Sequence, residues 1–190
     1  MKGYWDPKLN SNVVQILPGQ YYVSNKEEYI TTVLGSCISV CLHDPISNIG
    51  GMNHFMLPGD EIVKGKHDDV ARFGTHAMEM LINDLLKISA NKKLLVAKVI
   101  GGGSMFKSEQ GVGIRNAEFA REFLRLEGFP IEGEDVGSEF SRKVRFNPVS
   151  GKVAVKKLRS LHNKHVLESE KTFAKSMLEQ PTDEDDELFG

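Results

Sequence analysis

Short apolar runs separated by polar turns dominate the first hundred positions of the chain. Residues 29–34, 38–42 and 52–57 are apolar throughout or alternate with a period of two, as strands with a buried face do. Residues 94–100 form a fourth run, and Gly101-Gly102-Gly103 follows at once. Further on, Lys143-Val144-Arg145-Phe146 and Lys152-Val153-Ala154-Val155-Lys156 alternate on either side of Asn147-Pro148-Val149-Ser150-Gly151, which predicts a hairpin. Two stretches change period. From about residue 71 to 89, Ala77, Met78, Met80, Leu81, Leu85 and Ile88 recur at helical spacing. From about 116 to 127, Ala120, Phe123, Leu124 and Leu126 do the same, and Gly128 is placed to close that helix. Strands in runs with two inserted helices predict a mixed α/β or α+β layered fold rather than a doubly wound sheet.

Composition narrows the class. A chain of 190 residues that is 40% apolar can build one domain with a real core and no disulfide staples. The net charge of −2 does not suggest nucleic-acid binding by the whole chain. No apolar run is long enough for membrane insertion, and the first residues lack the apolar stretch of a signal peptide. With only Cys37 and Cys41 present, the expected compartment is a reducing, cytoplasmic one. The charge is uneven. Residues 142–165 hold eight Lys or Arg and no acid, either a solvated strand face or a basic surface for an acidic protein partner. Residues 168–190 hold eight acids and two bases. The expected organisation is a domain over 1–165 and an acidic, disordered tail over 166–190, solubilising or, with Leu188-Phe189 at its end, a docking peptide.

The most informative stretch is Leu34-Gly35-Ser36-Cys37. Gly35 and Ser36 break two apolar strands, and such a turn leaves backbone N–H groups beside the next side chain. A cysteine there can have its thiolate, and later an oxyanion, held by those donors. If residues 38–42 and 52–57 form an antiparallel hairpin centred near Pro45-Ile46, Cys37 and His54 stand opposite one another, with Cβ atoms roughly 5 Å apart. Ile38, Val40, Leu42, Phe55 and Leu57 then share one face, and Cys37, Ser39, Cys41, Met52 and His54 the other. The pattern leaves a catalytic thiol–imidazole pair and an ordinary buried cysteine and histidine both open. A zinc set of Cys37, Cys41, His43 and His54 would be splayed along ~20 Å of strand. A Cys37–Cys41 disulfide would have to span four residues of extended chain. Gly101-Gly102-Gly103-Ser104 lacks the ending of a phosphate loop, and its glycines instead suit close backbone approach to a site.

These residues also resemble a known family. Thr31 to Pro45 (TTVLGSCISVCLHDP), Gly50 to Pro58 (GGMNHFMLP), Lys98 to Phe106 (KVIGGGSMF) and Gly113-Ile114-Arg115-Asn116 are similar to the blocks of the chemoreceptor glutamine deamidases, the CheD family. The resemblance runs from about residue 21 to 158; Gly137-Ser138-Glu139-Phe140-Ser141 departs from it, where relatives carry a glycine-rich run. It implies an α/β/β sandwich with mainly antiparallel strands and two helices. It also implies Cys37 as nucleophile, His54 as base and Thr31 as the third member, with Gly35 and Ser36 shaping the oxyanion site. The implied reaction converts glutamines on the cytoplasmic helices of chemoreceptors to glutamates, with no metal or cofactor. In some members a phosphatase of the CheC family is a partner. Another cysteine acyl hydrolase, or a non-catalytic chemotaxis adaptor, would share much of this sequence pattern.

Overall fold

The computed structural model describes residues 1–57, 67–104, 111–158 and 163–178. Pro58, Met105 and Phe106, at the ends of two family-like blocks, lie outside them, as does the acidic stretch from 179 onward. Among the described residues ten strands form two sheets. β1 (Lys2–Asp6), β2 (Ser11–Gln15), β4 (Glu28–Leu34), β9 (Arg142–Phe146) and β10 (Val153–Lys157) make the first, in the order β1-β2-β4-β9-β10. β3 (Tyr21–Ser24), β5 (Ile38–Asp44), β6 (Ile49–Asn53), β7 (Val96–Gly101) and β8 (Ile131–Val136) make the second, in the order β3-β6-β5-β7-β8. Pairing is antiparallel except for β2 with β4 and β7 with β8. The helices α1 (His67–Lys87) and α2 (Val112–Glu127) pack on the second sheet, and α3 (Asn163–Leu178) follows β10.

Two buried layers result, and strand alternation divides them. Ile38, Val40, Leu42, Phe55 and Leu57 meet Met78, Leu81 and Leu85 of α1 and Ala120 and Leu124 of α2. Cys37, Cys41, Met52, Met56 and Ile100 face the other way, against Ile30, Leu34, Val144 and Phe146 of the first sheet. The molecule is therefore an α/β/β sandwich of the α+β class, and the two faces expected for residues 38–57 are observed. The 143–156 hairpin forms as expected, with Val144 opposite Val155. Gly128 closes α2 at φ 75°, where an L side chain would be strained.

Two expectations need correction. The third helix takes in residues 163–178, so the first part of the expected disordered tail is ordered. Phe173 and Ala174 pack against the inter-sheet core while Glu168, Lys171 and Lys175 stay in solvent; one narrow apolar face is enough to dock the helix. The 142–165 stretch is also not uniformly a basic surface. The Arg142 side chain is fully buried, and its guanidinium donates to Asp135 at 2.9 and 3.1 Å.

Candidate active site

The chain crosses from the first sheet to the second through Gly35, Ser36 and Cys37, between the end of β4 and the start of β5. All three carbonyls of this crossover are anchored on one side. Gly103 N–H donates to Gly35 O at 2.8 Å and Gly102 N–H to Cys37 O at 2.7 Å. Asn116 of α2 donates through Nδ2 to Ser36 O at 2.8 Å, while its Oδ1 accepts Leu57 N–H at 2.8 Å. With its carbonyls fixed, the crossover turns three successive N–H groups the other way, where they converge on one carboxylate, that of Glu170 on α3. Oε1 accepts from Gly35 at 2.7 Å and from Cys37 at 3.2 Å; Oε2 accepts from Ser36 N–H at 2.9 Å and from Ser36 Oγ at 2.7 Å. Successive N–H groups aimed at one point make an anion cradle. The glycine triplet serves close backbone approach, as its composition suggested.

The hairpin register differs from the expected one by two residues. Cys41 pairs with Met52 and Asp44 with Ile49, and an isolated bridge joins Ile38 to Phe55. Extending that register sets Cys37 against Met56 rather than His54. The cause is a four-residue turn, 45–48, in which Asp44 Oδ1 accepts the N–H groups of Ile46 and Ser47 and Asn48 takes φ 53°. A shift of two keeps every side chain on its face, so Cys37 and His54 are diagonal neighbours on the same side. The ladder is broken between them. Asn53 Oδ1 accepts Val40 N–H at 2.8 Å, and His54 instead pairs its backbone with Gln20 O and Gly19 N–H at 2.9 and 2.8 Å.

Cys37 Sγ, a ring nitrogen of His54 and a carboxylate oxygen of Glu170 lie within 4.8 Å of one another, and all three residues are buried. Cys37 is fully buried, and Glu170 of α3 lies against it. The ring of His54 is oriented by Thr32, whose Oγ1 is 2.7 Å from Nδ1 and 2.9 Å from Ile16 O. A hydroxyl has one proton and the Ile16 carbonyl only accepts, so Nδ1 carries the proton and donates to Thr32. Nε2 is then the basic nitrogen; it is buried and has no hydrogen-bond partner among the described residues. Thr31 does not take this place. Its Oγ1 donates to Val144 O at 2.7 Å. Ile30 and Leu34 of β4 face the inter-sheet layer, and with period two Thr32 shares their face while Thr31 points away. Thr32→Val should leave a buried imidazole N–H without an acceptor and lower kcat by about 10–100-fold, with Thr32→Ser restoring most of it. Thr31→Val should stay within about threefold, losing only the Val144 hydrogen bond. Steady-state kinetics of the three variants checks this.

Burial pushes the pKa of His54 down from 6.5 to about 4, against an upward pull from the Glu170 carboxylate, so the ring is neutral at neutral pH. The unfolded chain binds the imidazole proton more readily than the folded one. This contribution to stability is therefore whole above pH 6.5 and shrinks as pH falls toward 4, by roughly 3 kcal/mol in all. Denaturant midpoints measured across that window should fall more steeply for the wild type than for His54→Gln. The other thiol is not poised for chemistry, because burial pushes the Cys41 pKa far up.

Cys37, His54 and Glu170 could in principle converge on a metal ion. The four hydrogen bonds to Glu170 already engage both of its oxygens, which fits an anion held by backbone donors better than a metal ligand. His43 is not part of the group: its Nε2 lies 3.0 Å from Val149 O. Sequence reasoning missed Thr32, Asn116 and Glu170. Alternation along β4 pointed to Thr32, and the family-like block 113–116 contained Asn116; Glu170 had no such signal.

The family described as CheD chemotactic sensory transduction matches residues 56–157. A protein of Hahella chejuensis, named "Probable chemoreceptor glutamine deamidase CheD", is 42% identical over 98% of this chain and 89% of its own length. Similarly named proteins of Dechloromonas aromatica and Herminiimonas arsenicoxydans are 47% and 45% identical, each over 98% of this chain and 93% of their own. A matching block that covers more than half of the chain, and relatives alike over nearly its whole length, show that the chain belongs to the CheD family.

Proposed function

We propose that the protein is a protein-glutamine deamidase that converts glutamines on the cytoplasmic helices of chemoreceptors to glutamates, acting in the cytoplasm. The observation that carries this reading is the convergence of the Cys37 thiol, a ring nitrogen of His54 and the three N–H groups of the crossover. In this mechanism His54 takes the Cys37 proton, and the thiolate attacks the side-chain carbonyl of glutamine. The tetrahedral oxyanion forms against the N–H groups of Gly35, Ser36 and Cys37. His54 returns its proton to the departing ammonia, leaving a thioester on Cys37, then draws a proton from water as the water attacks. Glutamate leaves and the thiol is restored. Thr32 keeps the imidazole in the required tautomer. Side chains, backbone and water suffice, so the reaction calls for no cofactor.

Among the described residues no helix is long and apolar enough to cross a membrane. Exposed Lys143, Lys152, Lys156 and Lys157 on β9, β10 and their turn provide a basic surface suited to acidic receptor helices. A CheC-type phosphatase is a further partner under this reading, to be sought by co-purification. The direct test is incubation with receptor cytoplasmic fragments followed by mass spectrometry. Gln-to-Glu conversion with matching ammonia release is expected; amine incorporation in its place would indicate an acyl transferase, and no conversion would favour an adaptor.

A further inference from the structure

Glu170 is chemically the product of the proposed reaction, and it sits where that reaction would take place. Glu170 is 2% exposed, and its carboxylate fills the cradle of Gly35, Ser36 and Cys37 N–H groups. Cys37 Sγ and a ring nitrogen of His54 are within 4.8 Å of it. Among the described residues its hydrogen-bond partners are the neutral N–H groups of Gly35, Ser36 and Cys37 and the Ser36 hydroxyl. Its neighbours are those of a docked helix. Val166, Ser169 and Glu170 line a cleft with Gln15, Leu17, Pro18, Thr32 and His54. One turn on, Phe173 lies over Gly19, where a Cβ would run into its ring. Residues 166, 169, 170 and 173 are spaced i, i+3, i+4 and i+7, a single helical stripe. The cradle is thus entered by a side chain carried on an α-helix.

We propose that α3 is a tethered product mimic that occupies the groove for the substrate helix, with Glu170 in the place of the glutamyl side chain. The inference rests on the deamidase reading and extends it. The enzyme reads its target glutamine from an α-helical segment, a small residue is accommodated before the glutamine and an apolar one three residues after it, and α3 must withdraw before substrate enters. A glutamine introduced at position 170 is then itself a substrate. Its amide oxygen can take the Gly35 and Cys37 N–H groups, although its NH2 would face the Ser36 N–H. Attack by Cys37 forms a C–S bond and expels ammonia, which carries away the proton held by His54. Water then cleaves the thioester, giving Glu170 and the free thiol.

The test uses the full chain. Purified Glu170→Gln protein is expected to carry glutamate at position 170 by peptide mass spectrometry, whereas Cys37→Ala/Glu170→Gln keeps the glutamine. Glu170→Ala is expected to raise both the rate of Cys37 alkylation by iodoacetamide and turnover of receptor fragments, by about tenfold or more if the groove is open a tenth of the time or less in the wild type. If the Glu170→Gln protein, with its Cys37 intact, retains the introduced glutamine, the placement of this side chain at the reacting centre is overturned. Unchanged alkylation and unchanged turnover in Glu170→Ala would overturn the blocking role. Failure of the deamidase reading has a different signature: receptor glutamines stay intact with wild type and Glu170→Ala alike, whatever happens at position 170.

Discussion

Replacing Cys37 by alanine is expected to remove receptor deamidation almost completely, by about 10⁴-fold or more in kcat, because the bond-forming atom is gone and the remaining members of such a site do little alone. The fold should survive. Cys37 is buried, but one sulfur is lost from a layer that still holds Ile30, Leu34, Met52 and Phe146, a loss of roughly 1 kcal/mol. A second comparison isolates chemistry from packing. Cys41 lies in the same layer, further along β5 from the site, with a thiol that burial keeps protonated. Cys41→Ala should therefore cost similar stability and leave turnover within about tenfold. Ammonia release and Gln-to-Glu mass shifts measured on both variants, with denaturant melts alongside, separate the two. Deamidation that persists in verified Cys37→Ala protein would refute the mechanism.

Gly101→Ala should be nearly as damaging by another route. Gly101 has φ 120°, a region L residues rarely enter, and a Cβ there would be forced into the Cys37 carbonyl oxygen and against Ile38 Cα at 3.2 Å. Both neighbours are backbone, so no side chain can swing aside. Strain and clash together should cost roughly 3 kcal/mol or more. The Cys37 carbonyl also accepts Gly102 N–H, so displacing it moves the N–H cradle and the nucleophile together. A displacement on the order of 1 Å is enough to lower kcat by about 10²-fold. Gly128→Ala is the control. Gly128 also has a positive φ, 75°, but a Cβ there meets nothing within 4 Å. It should cost about 1 kcal/mol and leave kcat unchanged. If Gly101→Ala melts like Gly128→Ala and keeps its turnover, the glycine triplet is not what holds the crossover in place.

Strands β4, β5, β7, β9 and β10 and helices α1 and α2 were legible from their apolar periods, because each buries one continuous face and burial writes that period into the sequence. β1, β2, β3 and β8 were not. Three of these, β1, β3 and β8, are edge strands that bury none of their apolar side chains, and β2 buries two adjacent residues, Val13 and Val14, rather than an alternating set, so none carries a period-two signal. The Cys37–His54 pair was readable because the two residues flank a single hairpin, where period two assigns faces locally, and a register error of two residues does not change the face.

What the amino-acid order determined by itself was therefore local: which segments are strands or helices, which way their side chains alternate, and that a cysteine after a Gly-Ser break shares a face with a histidine. The tertiary structure alone decided the rest. Thr32, not Thr31, reaches His54 because two sheets stack and only one face of β4 looks inward. Asn116 holds the Ser36 carbonyl across 80 residues of chain, and Glu170 reaches the crossover across 133 to 135. Such contacts leave no periodic trace, because hydrogen-bond geometry depends on where distant elements pack, and a buried carboxylate is, in any hydropathy pattern, indistinguishable from one in water.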